Sequence, residues 1–375
     1  MRALIFSTHT GGGHDAAARA IQQALEAYGV ETRIMDCVAF GGAWLSRVVS
    51  DGYVKLVQHY PDGFGKMYHI GEVISTPRMK SPIYLMNSAY AFRMVKEITD
   101  FGTDMIICTH LFGGQSVTHL RKHGQYKGFF AMVMTDYTFM PFLEDIRPDV
   151  LCVSHRAMMK ECREKGLPEG ILMPFGIPVS PDCNPCTDRA AAKRKVGIDP
   201  ATPHVLLVGG SMGAGNLPGI VARLMPSLPG NARLTLVCGS NTAAKEQAEK
   251  LLSHDRRAQV LGRVTPLYDL MAAADVLITK SGGLTTTEAM TIGTPMVIVH
   301  PIRGCETENA TFFERMGLAL YARSLDELPE KTSRLLSSQE ARERMIATQH
   351  REIDPECSMH FAAYLVEKTR QRMED

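Results

Sequence analysis

Residues 1–29 read MRALIFS (1–7), THTGGG (8–13) and HDAAARAIQQALEAYG (14–29), and a related pattern follows at HVLLV (204–208) and GGSMGAG (209–215). Each copy is an apolar strand, then a glycine-rich turn, then the start of a helix. Glycine suits such turns because it adopts positive φ and lets a ligand approach the main chain. We therefore predict two α/β units, each with a turn suited to an anion or a polar ligand.

The composition is that of a soluble, folded protein. The chain has 375 residues, of which 45% are hydrophobic and 22% are charged, which favours two domains of similar size. The formal net charge is +1, and the parts before and after Val179 are both close to neutral, so nucleic acid is not a predicted partner. No stretch reaches the roughly 18 uncharged apolar residues of a membrane span.

The cysteines and the start of the chain favour a reducing cytoplasm. The nine cysteines are scattered, and no secretory signal precedes the first strand. Cys183 and Cys186 form one CxxC without a second ligand pair, so we interpret them as incidental thiols rather than a zinc site.

Short apolar runs alternate with helical patterns along the whole chain, which is typical of parallel sheets covered by helices. We predict a first domain over residues 1–178, a proline-rich linker over 179–203 and a second domain over 204–354. A C-terminal helix is predicted over 355–375, and it could pack back on the first domain. The predicted strands are 2–6, 32–35, 104–108, 129–134, 150–153 and 171–173, then 205–208, 234–237, 259–261, 276–279 and 296–299.

A second glycine turn in the C-terminal half reads ITKSGGLTTTEAM over residues 278–290. Backbone N–H groups at such a helix start suit a pyrophosphate, and Glu288, one helical turn further, could accept both hydroxyls of a ribose. Taken alone, the turn is common in α/β folds and Glu288 would be a solvated helix residue. Together with 209–215, at the carboxyl ends of strands of one sheet, the turn favours a ligand site.

The ordered motifs resemble a known family, glycosyltransferase family 28, and within it the bacterial diacylglycerol glucosyltransferases and plant monogalactosyldiacylglycerol synthases. The resemblance covers nearly the whole chain. The motifs that carry it are HTGGGH (9–14), YP (60–61), GKMY (65–68), TH (109–110), TD (135–136), GIP (176–178), GGSMGA (209–214), GRV (262–264) and TKSGG (279–283) with Glu288.

The resemblance implies the GT-B fold, two Rossmann-like doubly wound parallel-sheet domains facing across a cleft, with a UDP-sugar donor. It places near the diphosphate Gly210, Ser211, Gly213, Gly283, Leu284 and Thr285, and it also assigns Met212, Ser281 and Gly282 to donor binding. It places Arg263 and Val264 beside the uracil, Glu288 on the ribose, Glu306 and Asn309 on the sugar hydroxyls, and Gly13 beside the donor sugar. Cys305 stands where the family usually has glutamine, which leaves the sugar open.

An inverting sugar transfer needs a base for the acceptor hydroxyl, and His14 is our candidate. At the start of a helix the dipole disfavours the imidazolium, so the ring stays neutral and basic. A helix cap or a core histidine is the alternative. Asp136 follows a strand and could orient His14 or act as the base itself. His110 and Tyr137 are assigned to the acceptor side, although residues 138–143, TFMPFL, differ from relatives that often carry histidine and tryptophan there.

No Asp-x-Asp motif occurs, so we expect no obligatory metal and no cofactor, with helix dipoles neutralising the leaving group. Residues 38–98 mix aromatic and basic side chains. This mixture suits an anionic membrane surface, although the spacing of Ile83, Met86, Tyr90, Met94 and Ile98 suits packing in the first domain equally well.

The predicted function is an inverting transfer of a hexosyl group from a UDP-sugar to a lipid hydroxyl, most simply diacylglycerol, at the cytoplasmic face of the membrane. A glycosyltransferase with a different lipid or a soluble acceptor is one alternative. Two others stay open. The first is a UDP-sugar isomerase similar to the UDP-N-acetylglucosamine 2-epimerases, which share the GT-B architecture. The second is a non-catalytic nucleotide-binding module. Glucose, galactose and N-acetylglucosamine are not distinguished.

Overall fold

The computed structural model describes residues 1–8, 12–42, 81–213, 215–302 and 304–374. These residues form two units. The first contains Met1–Asp182 together with Glu356–Asp375, and the second contains Cys183–Pro355.

The first unit is built on a six-stranded parallel sheet with the order β2-β1-β3-β4-β5-β6. Its strands are β1 (Arg2–Ser7), β2 (Glu31–Asp36), β3 (Met105–Cys108), β4 (Phe129–Val133), β5 (Val150–Cys152) and β6 (Leu172–Met173). The helices described between them are α1 (Gly13–Ala27), α2 (Pro82–Ala91), α3 (Met94–Phe101), α4 (Leu111–Lys122) and α5 (Met159–Glu164).

The second unit has its own six-stranded parallel sheet, with the order β12-β11-β10-β7-β8-β9. It begins with α6 (Arg189–Lys195). The strands are β7 (His204–Val208), β8 (Arg233–Val237), β9 (Ala258–Leu261), β10 (Val276–Thr279), β11 (Met296–Val299) and β12 (Leu320–Ala322). The helices that follow α6 are α7 (Leu217–Leu224), α8 (Thr242–Leu251), α9 (Tyr268–Ala273), α10 (Gly283–Ile292), α11 (Cys305–Met316), α12 (Leu328–Ser337) and α13 (Gln339–Glu352).

The predicted α/β class with doubly wound parallel sheets is confirmed. Each of the eleven predicted strands overlaps an observed one, and the central strands β3, β4, β7, β10 and β11 are buried along their whole length. Such burial follows from helices that cover both faces of a parallel sheet. The sequence prediction missed β12, a three-residue edge strand that is too short to show a period.

Both sheets reverse their strand order at one point, and ligands bind α/β sheets in the crevice beyond such a point. In the first sheet the reversal lies between β1 and β3, and in the second between β7 and β10. The segments that follow these four strands carry His14 at the start of α1, Thr109, the glycine turn at 209–215 and Ser281. The topology therefore brings the predicted site residues of each unit to one edge of its sheet.

The C-terminal helix α14 (Cys357–Glu374) belongs to the first unit. Phe361 and Leu365 are completely buried, and they pack in the same core cluster as Ile21 and Leu25 of α1. Arg372 donates to the carbonyl of Lys127 at 2.9 Å and ties the end of the helix to the same unit. The chain thus returns to its first unit after completing the second.

Most of the segment predicted as a linker, 179–203, is packed on the second unit. Residues from Cys183 onward belong to that unit. The Arg189 guanidinium donates to the carbonyls of Ala274 and Gly293, which lie at the C-terminal ends of α9 and α10. The thiols of the CxxC, Cys183 and Cys186, donate to backbone carbonyls at 3.7 and 3.6 Å.

Of the aromatic and basic segment 38–98, residues 43–80 lie outside the described residues, as do the motifs at 9–11, 60–61 and 65–68. In the described part, Tyr90, Met94 and Ile98 are buried, so this helical face packs inside the first unit. On the outside of the same helices, Leu85 is 61% exposed and Phe92 is 57% exposed.

Candidate active site

His14 is the second residue of α1, and its ring is held by the loops that follow β3 and β4. Its Nδ1 lies 2.7 Å from the carbonyl oxygen of Thr109 and 3.2 Å from Oγ1 of Thr135. A carbonyl oxygen only accepts hydrogen bonds, so Nδ1 carries the proton, and the basic nitrogen of the neutral ring is Nε2. The Thr109 hydroxyl donates in return to the carbonyl of His14 at 3.1 Å, which fixes the first turn of α1 against β3.

His110 lies beside His14, and the two rings meet edge to face with centroids 4.6 Å apart. The backbone N–H of Phe112 donates to His110 Nδ1 at 3.2 Å, so His110 caps helix α4. Because Nδ1 accepts this bond, the proton of the neutral ring is on Nε2. The pair therefore offers one basic nitrogen, on His14, and one N–H donor, on His110.

Burial lowers the pKa of both histidines. For His14 desolvation has the largest effect, and it outweighs the opposing influence of the Asp136 carboxylate, the Thr109 carbonyl and the Asp15 carboxylate. For His110 desolvation and the neighbouring His14 lower the pKa well below its usual value of 6.5. Both rings are consequently neutral at physiological pH, which is the state that a general base requires.

The other predicted residues of the first unit lie at different depths. Asp136 follows β4 and is partly exposed, close enough for its charge to raise the pKa of His14. Tyr137 is only 1% exposed and packs in the interior, which favours a structural role over acceptor contact. Gly13 is the first residue of α1 and is partly exposed, while the preceding Gly12 adopts a φ of 83°.

The glycine turn after β7 packs on the loop after β8. The Asn241 side chain donates to the carbonyl of Gly213 at 3.0 Å and accepts from the N–H of Ala244 at 2.9 Å, so it caps α8 and holds the turn at once. Ser211 and Met212 are at least partly exposed, and Gly210 has a φ of 73°, whereas Gly213 is buried. Gly213 therefore shapes the turn, and the residues before it present its surface.

We predict that Gly213→Ala destabilises the second unit, whereas Gly215→Ala has a much smaller effect. Both glycines have positive φ, at 57° and 98°. A Cβ on Gly213 would lie 2.0 Å from the carbonyl oxygen of Cys238, while a Cβ on Gly215 meets nothing within 4 Å. Gly215→Ala carries only the backbone strain of about 1–3 kcal/mol, whereas Gly213→Ala adds the clash of the new Cβ with the Cys238 carbonyl. The difference between the thermal unfolding of the two variants therefore measures the clash. Equal melting temperatures would contradict the assigned packing.

Helix α10 begins at Gly283, directly after the β10 turn. Ser281 is buried and donates through Oγ to the carbonyl of Glu306, while Gly282 is partly exposed. Leu284 is buried and Thr285 is partly exposed, whereas Thr286 and Thr287 donate back to carbonyls of their own helix. Of the three threonines, Thr285 is therefore the one suited to meet a ligand at this helix start.

Glu288 lies one turn inside α10 and is partly exposed. The hydroxyl of Tyr268, at the start of α9, lies 3.5 Å from its Oε1. Arg263 is exposed and Val264 partly exposed in the loop after β9. These placements leave Glu288 and the Arg263 loop accessible at the carboxyl edge of the second sheet.

Glu306 and Asn309 of α11 are tied to the β10 turn. The Glu306 carboxylate pairs with the Lys280 ammonium through Oε1 and accepts the N–H of Ile302 through Oε2 at 2.9 Å. Asn309 is completely buried, and its amide donates to the carbonyl of Ser281 at 3.0 Å. These contacts join α11 to the turn after β10, and a role of either side chain on sugar hydroxyls stays a prediction.

Four residues with clear roles in this geometry had no role assigned from the sequence: Thr109, Thr135, Asn241 and Lys280. Thr109 and Thr135 were noticed only as parts of motifs, yet they hold the His14 ring. Asn241 directly precedes α8, and an asparagine at a predicted helix start is a signal that could have identified this cap.

The described residues contain neither a cluster suited to a metal ion nor a helix suited to span a membrane. No group of three or more His, Cys, Asp or Glu side chains is placed to hold a metal ion there. In the same part of the chain, no helix combines the length and the apolar character needed to cross a bilayer.

Known proteins similar to this chain cover almost all of it. Residues 14–179 match the family model of monogalactosyldiacylglycerol (MGDG) synthase, and residues 204–358 match that of the glycosyltransferase family 28 C-terminal domain. A processive diacylglycerol beta-glucosyltransferase of Bacillus cytotoxicus is 26% identical over 98% of this chain and 94% of that protein. The chloroplastic MGDG synthase of Spinacia oleracea is 29% identical over 88% of this chain, which spans 65% of the plant protein.

Solved structures agree on the fold. The MurG structure from Acinetobacter baumannii has a TM-score of 0.65 at 16% identity and covers 98% of this chain and 99% of its own. A sucrose-phosphate synthase from Thermosynechococcus elongatus has a TM-score of 0.62 at 14% identity, and it covers 100% of this chain and 99% of its own. The predicted GT-B fold is confirmed by these likenesses and the two parallel sheets.

The two family models, the aligned relatives and the fold all lead to one assignment. The chain belongs to glycosyltransferase family 28, and it is a hexosyltransferase of the type that includes the diacylglycerol glucosyltransferases and MGDG synthases.

Proposed function

We propose that the protein transfers a hexosyl group from a UDP-sugar to the hydroxyl of diacylglycerol or a closely related lipid, with inversion at the anomeric carbon and no obligatory metal. The names of the relatives support the lipid acceptor, since they are a diacylglycerol glucosyltransferase and an MGDG synthase. The observation that carries the proposal is the Thr109 carbonyl on Nδ1 of His14, which leaves Nε2 as a neutral base.

In the proposed reaction the acceptor oxygen attacks the anomeric carbon and its proton passes to Nε2 of His14. The bond from the anomeric carbon to the diphosphate oxygen breaks, and its electron pair leaves with UDP. The imidazolium that forms is stabilised by the Asp136 carboxylate, whose charge raises the pKa of His14. In the second unit, the N-terminal N–H groups of α10 supply partial positive charge for the departing diphosphate.

The direct test offers the purified protein UDP-glucose, UDP-galactose or UDP-N-acetylglucosamine, each radiolabelled in the sugar, with vesicles that contain diacylglycerol. We expect label from one of them to enter the organic phase, and NMR of the product to show the β-anomer. A parallel incubation with excess chelator should give the same yield. Label recovered only as free sugar or as a UDP-sugar isomer would contradict the transferase.

We also propose that the protein works at the cytoplasmic face of an anionic membrane. The exposed side chains of Leu85 and Phe92, with Arg93 next to them, supply apolar contact and positive charge on the surface of α2 and the turn after it. Flotation with vesicles of anionic or neutral lipid tests this. We expect the protein to float with the anionic vesicles, and Leu85→Ser with Phe92→Ser to reduce the bound fraction. Equal recovery with both lipids would contradict it.

The roles of His14 and Asp136 can be separated by the pH dependence of kcat/KM. The pKa of His14 lies below 6.5, so activity should be constant above that pH and fall as the ring is protonated at lower pH. Asp136→Asn removes a carboxylate that raises this pKa, so we expect the acid limb to move to lower pH. The plateau value of kcat/KM should fall about tenfold, because the imidazolium that forms on His14 during the reaction loses roughly 1.4 kcal/mol of stabilisation.

Asp15→Asn is the matched control, since the Asp15 carboxylate acts on the same ring with a smaller effect than Asp136. Asp15→Asn should also move the acid limb of kcat/KM to lower pH, but by a smaller shift than Asp136→Asn. If Asp136 is the base, Asp136→Asn will instead abolish turnover and remove the acid limb altogether.

A further inference from the structure

Lys280 lies between the two turns that form the carboxyl edge of the second sheet. Its side chain crosses Gly210, where an added Cβ would lie 2.8 Å from the lysine Cε. Its Nζ lies 3.3 Å from the position that a Cβ on Gly282 would occupy, directly before the first residue of α10. The ammonium is thus held next to both glycine turns and at the N-terminus of a helix.

This position is electrostatically unusual, because the N-terminus of a helix carries partial positive charge and disfavours a cation. The side chain is only 17% exposed, and its ion-pair partner Glu306 is 8% exposed. Within the described part of the chain, the Glu306 carboxylate is the one acceptor of this ammonium, which has three N–H donors. A cation and a helix N-terminus that face the same turn together favour a bound anion.

We propose that Lys280 donates to the diphosphate of the nucleotide sugar, an inference that rests on the proposed function. A lysine is a compact charge that binds phosphate oxygens, and a partly buried site strengthens the attraction. When the bond to the anomeric carbon breaks, the electron pair stays on the diphosphate and the ammonium stabilises it without giving up a proton. Lys280 then supplies the charge that a metal ion supplies to diphosphate in other sites.

A different role would be purely structural, with Lys280 acting only by holding Glu306. The two roles differ in what a change at Glu306 does. If Lys280 binds the diphosphate directly, Glu306→Gln frees the ammonium and leaves UDP binding intact or stronger. If Lys280 acts through Glu306, then Glu306→Gln weakens UDP binding as much as a change at Lys280.

The experiment measures the Kd of UDP and of uridine by calorimetry for the wild type and four variants. Lys280→Gln removes the charge but keeps an N–H donor for Glu306, and we expect UDP to bind about 10 to 100 times more weakly with uridine unchanged within about twofold. Lys280→Arg keeps the charge and should stay within about fivefold of the wild type. Glu306→Gln should not weaken UDP binding. The control is Lys331→Met, which removes a lysine of α12 that pairs with Glu327, the residue before that helix.

The inference is overturned if Lys280→Gln binds UDP as tightly as the wild type, or if it weakens the binding of UDP and of uridine equally. It is also overturned if Glu306→Gln weakens UDP binding as much as Lys280→Gln does. A wild-type protein that binds uridine and UDP with equal affinity overturns it as well, while leaving a nucleoside site in place. A wild type that binds neither contradicts both this inference and the proposed function.

Discussion

His14→Ala is expected to lower kcat by about 10²- to 10⁴-fold, the range usual for loss of a general base. The ring is held with Nδ1 on the Thr109 carbonyl, so Nε2 is the nitrogen that can accept the acceptor proton. Alanine removes this nitrogen and leaves the second unit untouched. The Kd of UDP should therefore stay within about twofold of the wild-type value, while turnover in the vesicle assay falls.

The control for this change is His123→Ala. His123 lies at the exposed end of α4, where its Nδ1 lies 2.9 Å from the carbonyl of His119. Its loss should leave kcat within about twofold, because surface changes away from a site have small effects. A His14→Ala enzyme with nearly normal kcat would exclude His14 as the base and leave Asp136 as the candidate.

Lys193→Met is expected to destabilise the second unit by about 3–5 kcal/mol, the cost of leaving one charge of a buried ion pair without its partner. The Lys193 ammonium donates to Asp275 at 2.7 Å and to the carbonyl of Thr202 at 2.8 Å. The same carboxylate oxygen of Asp275 accepts the N–H of His204 at 2.7 Å, at the start of β7. The pair thus joins α6 to the central strands of the sheet.

Hydrogen exchange of the β7 and β10 amides measures this loss, because these amides belong to the sheet of the second unit. The matched control is Lys195→Met, two residues away on the same helix, whose pair with Asp269 is 66% and 57% exposed. It should cost less than about 1 kcal/mol.

The double change Lys193→Met with Asp275→Asn removes both charges and should recover part of the loss. Similar exchange rates in the Lys193→Met and Lys195→Met proteins would show that the buried pair does not hold α6 to the sheet.

Local patterns account for the parts of the fold that were predicted. The eleven predicted strands are apolar runs of three to six residues between helical patterns, and each is an element that its own residues specify. The exception, β12, reads Leu-Tyr-Ala and pairs with β11, so its strand state comes from its neighbour. The packing of the segment 179–203 was not predicted for a related reason, since its prolines and polar residues do not show the carbonyls of α9 and α10 that Arg189 contacts.

The candidate site likewise contains residues that local motifs identify and contacts that only the folded structure shows. Motifs in the sequence identified His14, the turn at 209–215 and Ser281 as members of a ligand site, because glycine turns and helix starts are local features. They did not distinguish Ser211, which is exposed, from Gly213, which is buried against Cys238. Nor did they show that Asn309 is completely buried and bonded to the Ser281 carbonyl.

The sequence by itself determined two α/β units, the turns at their strand ends and the presence of a histidine at the first helix start. Only the tertiary structure decided which nitrogen of that histidine is basic, because the Thr109 carbonyl that holds it is 95 residues away in the chain. It also decided that α14 completes the first core and that Lys280 lies across Gly210. Periodicity reports on neighbours along the chain, whereas proton position, burial and ion pairing depend on residues that meet only when the sheets assemble.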